Sequence, residues 1–112
     1  MSRELKLGRY IVTDYSPAYV IAEVGHNHQG KLETAKEMFK QAQACGVNAV
    51  KLQKRDNRSL FTQAAFDRPY ENENSFGETY GEHREALEFD RDQYVELQKY
   101  AAELELEFFA TA

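Results

Sequence analysis

Glu23-Val24-Gly25-His26-Asn27-His28-Gln29-Gly30 and, about one helix later, Val50-Lys51-Leu52-Gln53 are the stretches on which the fold turns. Each closes an apolar run, Tyr19-Val20-Ile21-Ala22 for the first and Val47-Asn48-Ala49-Val50 for the second. A helical pattern lies between them. The order strand, polar turn, helix, strand is one βαβ unit with ionisable residues at the carboxyl ends of its strands. Parallel α/β folds bind their ligands at those ends. A lysine inside a strand, between Val50 and Leu52, needs a reason, because an unpaired buried charge is costly.

Working outward, Tyr19 to Val24 reads as a strand in which Glu23 shares parity with Tyr19 and Ile21. Lys31 to Cys45 reads as a helix. Leu32, Ala35, Met38, Phe39, Ala42 and Cys45 recur at spacings of three and four and form its buried face. Gly46 is placed to end it. Asn48 to Gln53 is the next strand, with Lys51 and Gln53 on one face and Val50 and Leu52 on the other. Asp90 with Gln93 has the spacing of a capping box. Tyr94, Leu97, Ala101 and Leu104 then mark a second buried helical face, and a third strand begins near Leu106. Upstream, residues 4–18 read as a short hairpin turning at Gly8-Arg9.

The connection 54–89 is long, polar and aromatic, with no sustained periodicity. Connections of that length are functional or disordered. Its Phe61, Phe66, Tyr70, Phe76 and Tyr80 argue for order. Helical crossovers between the three main strands imply a parallel sheet. The fold class is therefore α/β. A single-chain parallel barrel needs roughly 250 residues, and these 112 end inside the third strand. The expectation is the N-terminal portion of an incomplete barrel.

Composition narrows the functions. With 19 acidic against 14 basic residues the formal net charge is −5, which argues against nonspecific binding to nucleic acid or anionic membranes. The single cysteine, Cys45, permits no intrachain disulfide, and its place on the buried helical face argues against catalysis. No apolar run reaches bilayer length, and Met1-Ser2-Arg3-Glu4 lacks a signal-peptide core. The expected location is the cytoplasm.

The candidate site follows from parity and position. Glu23 is either an acid/base or hydroxyl acceptor, or a structural partner of Lys51. Lys51 is placed to hold a phosphate or carboxylate or to form a Schiff base; the plainer alternative is a snorkelling surface lysine. Gln53 either orients hydroxyls or ends its strand in solvent. His26 and His28 flank Asn27, and two histidines without a visible third ligand make a weak metal site. A role for this turn in orienting a polar substrate fits better. Thr111 either cradles phosphate or is an ordinary strand threonine. Tyr80, His83 and Arg84, in Tyr80-Gly81-Glu82-His83-Arg84, form either a lid or a solvated surface.

From Tyr19 onward the chain resembles the N-terminal barrel of the sialic acid synthases (N-acylneuraminate synthases). The resemblance rests on Ile21-Ala22-Glu23-Val24-Gly25 with His26-Asn27-His28-Gln29-Gly30, and on Val50-Lys51-Leu52-Gln53-Lys54. It continues through Arg68-Pro69-Tyr70, Thr79-Tyr80-Gly81-Glu82-His83-Arg84, Leu87-Glu88-Phe89, Asp92-Gln93-Tyr94 and Phe108-Phe109-Ala110-Thr111. The loop motifs look closest to the animal-type enzymes.

The resemblance implies the first part of a TIM (β/α)8 barrel, followed in the family by further strands and an antifreeze-like domain. It implies condensation of phosphoenolpyruvate with N-acetylmannosamine or its 6-phosphate, or with the hexosamine precursor of legionaminic or pseudaminic acid. By the same match Lys51 would bind phosphoenolpyruvate anions and Gln53 would contact the sugar. Glu23 would sit beside the reacting centre and Thr111 would meet the phosphate. Asn27, Tyr80, His83 and Arg84 would be further substrate contacts. A divalent metal, magnesium or manganese, would be held by residues outside this stretch, and the parent protein would be a homodimer. On this reading the 112 residues alone are inactive; the non-enzymatic alternative is a self-associating fragment whose open strand edge invites another chain. The family commonly has glycine where Glu105 stands, a change at a helix end that bears on stability more than chemistry.

Overall fold

Three parallel strands run in the order β3-β4-β5, where β3 is Ile21–Gly25, β4 is Ala49–Gln53 and β5 is Glu107–Thr111. The structure, a computed structural model, describes residues 2–112. The register sets Ile21, Ala49 and Glu107 side by side, then Glu23, Lys51 and Phe109, then Gln53 and Thr111. Period-two alternation puts these residues on one face of the sheet and Ala22, Val24, Val50, Leu52, Phe108 and Ala110 on the other. A bulge interrupts the β3–β4 ladder between Glu23 and Gly25. Such a bulge bends the strand end and re-aims the side chains beside it.

The second face is covered by two amphipathic helices, preceded by a hairpin. β1 (Glu4–Leu7) and β2 (Tyr10–Thr13) form an antiparallel pair. α1 spans Leu32–Ala44 and α5 spans Arg91–Glu103, and both have the crossover positions the apolar spacing predicts. Ala35 and Phe39 of α1 and Leu97 and Ala101 of α5 are buried with Val24, Val50, Leu52, Phe89 and Leu106 in one core. Phe39 lies 5.5 Å from Phe108, ring centroid to centroid. Full burial of a side chain of this size contributes roughly 1.5–3 kcal/mol, so this layer holds the sheet. The hairpin docks at the opposite end of the strands from the polar turn. Arg9 donates to Glu107 from its backbone at 2.9 Å and from Nε at 3.0 Å, and the Tyr10 hydroxyl reaches the Glu105 carbonyl at 3.3 Å.

Both helix ends read from the sequence are present. Asp90 accepts from the Gln93 backbone and Gln93 returns the bond, closing the capping box. Gly46 follows α1 at φ +81°. Two readings need correction. Cys45 is exposed: it caps α1 through backbone bonds to Gln41 and Ala42, where the helical stripe has rotated off the sheet. The connection 54–89 holds three short helices, α2 (Asn57–Leu60), α3 (Gln63–Asp67) and α4 (Tyr80–Ala86). Asp56, Thr62 and Thr79 cap them. Segments of four to seven residues carry too little periodicity to register as helical stripes.

Glu105 takes the position after α5 with φ +59°, the left-handed conformation that glycine adopts without penalty. Glu105→Gly is expected to stabilise the chain by about 1 kcal/mol. Urea denaturation would show it as a higher midpoint at unchanged slope; an unchanged midpoint would refute the reading.

Candidate functional site

The bulge and the register bring the predicted residues together at the carboxyl ends of β3 and β4. Glu23 Oε2 lies 3.2 Å from Lys51 Nζ, and Gln53 Nε2 donates to Glu23 Oε1 at 3.5 Å. The Lys51 side chain is 29% exposed and that of Glu23 45%. The pair is thus reachable from solvent on the face no helix covers. Thr111 stands beside Gln53 in register, and its carbonyl accepts from the Lys54 backbone at 2.8 Å. The Lys51 ammonium turns to the Glu23 carboxylate, the pairing that the sequence offered as the structural alternative for Glu23. A cation, a carboxylate and an amide converge here, with Thr111 on the neighbouring strand, a set able to hold an anion and to order hydroxyl groups.

The turn after β3 is built by its own hydrogen bonds. Asn27 closes it, its backbone and its Nδ2 both donating to the Val24 carbonyl at 3.0 Å. His28 is buried, stacks on Phe89 at 4.0 Å and accepts from the Gly30 backbone at Nδ1. Burial pushes its pKa down to about 4, with the neighbouring His26 adding to the effect. His26 is shifted down as well, chiefly by burial. Burial thus disfavours the charged form of both imidazoles. The two rings stand 5.9 Å apart and nearly perpendicular, each with Nδ1 already committed, to Arg84 for His26 and to Gly30 for His28. Among the described residues no three histidine, cysteine or acidic side chains are grouped to hold a metal ion.

Tyr80 and His83 do not join the Glu23–Lys51 group. They belong to an aromatic cluster inside the connection, where Tyr80 packs edge-on to Phe61 and Tyr70 and His83 tilts against Tyr70 at 4.4 Å. His83 Nδ1 accepts from the Phe76 backbone, and burial lowers its pKa. Their rings pack the connection on itself and are not simply solvated, His83 being buried. His83, His26, Asn27, Tyr70 and Phe76 line a cavity of about 440 Å³ between the connection and the first turn. Arg84 does reach the turn, with Nη2 3.2 Å from His26 Nδ1.

Glu88 was missed as a site residue. Its side chain is 9% exposed and touches Lys54 and His26. The available signal was a carboxylate between Leu87 and Phe89, apolar neighbours just ahead of a helix cap.

A model of the NeuB family matches residues 38–112. The chain is 50% identical to the N-acetylneuraminate-9-phosphate synthase of Drosophila melanogaster, over 84% of this chain and 25% of that protein. It is 45% identical to the Homo sapiens protein of the same name, over 99% of this chain and 31% of the other. Among solved structures it is similar to the N-acetylneuraminic acid (sialic acid) synthetase of Leptospira borgpetersenii serovar Hardjo-bovis. That match has a TM-score of 0.73 at 27% identity, covering 98% of this chain and 34% of the other. The chain thus spans about a quarter to a third of these relatives. No helix among the described residues is long and apolar enough to cross a membrane.

Proposed function

The chain belongs to the NeuB family, and we propose that it is the N-terminal part of a synthase that joins phosphoenolpyruvate to an N-acyl hexosamine. On this reading β3, β4 and β5 are the first three strands of a TIM barrel, and the face bearing Glu23, Lys51, Gln53 and Thr111 is turned to its lumen. The observation that carries the proposal is the placement of those four residues in register at the carboxyl ends of parallel strands, with Lys51 and Glu23 3.2 Å apart.

Lys51 holds the phosphoenolpyruvate anion, and an arriving phosphate or carboxylate competes with Glu23 for its ammonium. Gln53 orients the sugar, with Asn27 at the mouth of the site. Thr111 meets the phosphate. C3 of phosphoenolpyruvate forms the new bond to the aldehyde carbon of the open-chain sugar, water adds at C2, and inorganic phosphate leaves. Glu23 stands beside the reacting centre, where a carboxylate can accept a hydroxyl proton. The names of the fly and human relatives favour N-acetylmannosamine 6-phosphate as acceptor and the 9-phosphate as product.

The reaction would use a divalent metal, magnesium or manganese, and His26 and His28, whose Nδ1 atoms face Arg84 and the Gly30 backbone, are not assigned to it on this reading. Its ligands belong to other parts of the synthase. The parent protein acts as a homodimer in the cytoplasm. This stretch alone does not turn over, since the reaction needs groups converging from several strands.

Titrating the 15N-labelled chain with phosphoenolpyruvate tests the anion site. The expected result is saturable shifts confined to Lys51, Gln53, Thr111 and their neighbours. Scattered or absent shifts at millimolar ligand would overturn the assignment, and robust phosphate release by this chain alone would overturn its inactivity.

A further inference from the structure

Glu88 sits between buried Leu87 and Phe89, with its carboxylate withdrawn from solvent. A carboxylate taken out of water is costly unless its oxygens are met by charges and donors. Glu88 Oε2 receives Lys54 Nζ at 3.0 Å and the Arg55 backbone N–H at 3.4 Å. Its Oε1 faces His26 Nε2 at 3.3 Å, close but without hydrogen-bond alignment.

The other side of His26 decides where its proton lies. Arg84 Nη2 is 3.2 Å from Nδ1, and a guanidinium only donates. Nδ1 is therefore the acceptor, and the proton sits on Nε2, toward Glu88. Burial lowers the His26 pKa, which favours the neutral ring.

Lys54 and Arg55 directly follow the site. Arg55 Nη2 donates to Gln53 Oε1 at 2.7 Å. Because arginine cannot accept, this bond fixes which end of the Gln53 amide is the oxygen, and so turns Nε2 to Glu23 Oε1 at 3.5 Å. A succession of polar contacts thus leads from α4 toward the Glu23–Lys51 pair: Arg84 to His26, His26 close to Glu88, Glu88 to the Arg55 backbone, and the Arg55 side chain to Gln53.

We propose that Glu88 is a positioning residue for this site: it anchors the chain leaving β4 so that Gln53 presents its amide to Glu23 in one orientation, and it holds His26 against Arg84. A side chain serving only to fill this place needs no charge, whereas one that meets an ammonium, a backbone N–H and an imidazole does. The proposal rests on the reading of Glu23, Lys51 and Gln53 as a ligand site. Glu88 itself makes no contact with Glu23, Lys51 or Gln53.

The test uses the 15N-labelled full chain without ligand. Two signals are read, the Gln53 side-chain amide and the His26 ring nitrogens, whose shifts report the tautomer. Glu88→Gln is expected to move both. Leu87→Ala, which loosens the same turn beside the network, is expected to lower the melting temperature and move neither. Unmoved signals in Glu88→Gln, or equal movement in both variants, would overturn the proposal. Should Glu88→Gln fail to fold, Lys54→Met removes the carboxylate's exposed partner instead. A shifted Gln53 amide is then expected, and an unshifted one is fatal. In a phosphoenolpyruvate titration Glu88→Gln is expected to weaken binding about tenfold. If the wild-type chain binds no phosphoenolpyruvate while both signals respond as expected, the ligand reading fails and the placement of Gln53 by Glu88 stands.

Discussion

Gly30→Ala is expected to destabilise the chain by about 2–5 kcal/mol, a large part of the roughly 5–15 kcal/mol typical of a domain. Two effects add. Gly30 lies at φ +75°, where an L side chain costs about 1–2 kcal/mol. A Cβ there would also overlap the carbonyl oxygen of Ala86, with the Ala86 carbonyl carbon 3.3 Å away and Leu87 Cα 3.7 Å away. The obstacle is backbone, the last residue of α4, so no side-chain rotation relieves it, and overpacking of this kind costs about 1–3 kcal/mol. The first turn and α4 must separate, which parts Arg84 from His26. Urea denaturation followed by circular dichroism measures the loss. A change below 1 kcal/mol would show that the close approach of Gly30 and Ala86 is not maintained in solution.

Lys51→Met is expected to reduce phosphoenolpyruvate binding by about 10–100-fold. A hydrogen bond to a charged group contributes roughly 1.5–3 kcal/mol, and each 1.4 kcal/mol is a factor of ten. Methionine keeps the unbranched stem and removes the charged, hydrogen-bonding amine at its end. Stability should change by less than about 1 kcal/mol, because the Lys51–Glu23 pair is partly exposed and such pairs contribute little. Lys51→Arg should retain much of the binding. Calorimetric titration of the three chains separates the cases. Wild-type affinity in Lys51→Met would remove Lys51 from the anion site.

The strand and helix order was legible because each main element carries a long, unambiguous period. Parity put Lys51 and Gln53 on one face of their strand and Glu23 with Ile21 on one face of the other, and the register joins the two faces. The capping box at Asp90 and the left-handed position at Glu105 were equally local, set by residues within one helical turn. The packing of Tyr80 and His83 was not legible, because an aromatic residue in a long connection reads alike whether it closes over a ligand or packs on its neighbours. Phe61, Tyr70 and Phe76 decide between these, and they meet only after three short helices have folded back on themselves. Cys45 was misplaced for a related reason: periodicity assigns a side to a helix but does not say where along its length the sheet ends.

The sequence by itself determined the βαβ framework, the face on which the ionisable strand-end residues stand, and the family to which the motifs belong. All three depend on spacing within one element or on short contiguous motifs. Only the tertiary structure decided which groups are partners: Arg9 of the hairpin turn with Glu107 of β5, Arg84 with His26, and Glu88 with Lys54. Charged side chains of like kind are interchangeable in a sequence. Burial makes them distinct, because a carboxylate or imidazole withdrawn from water must be met by particular donors, and the fold alone settles which ones come within reach.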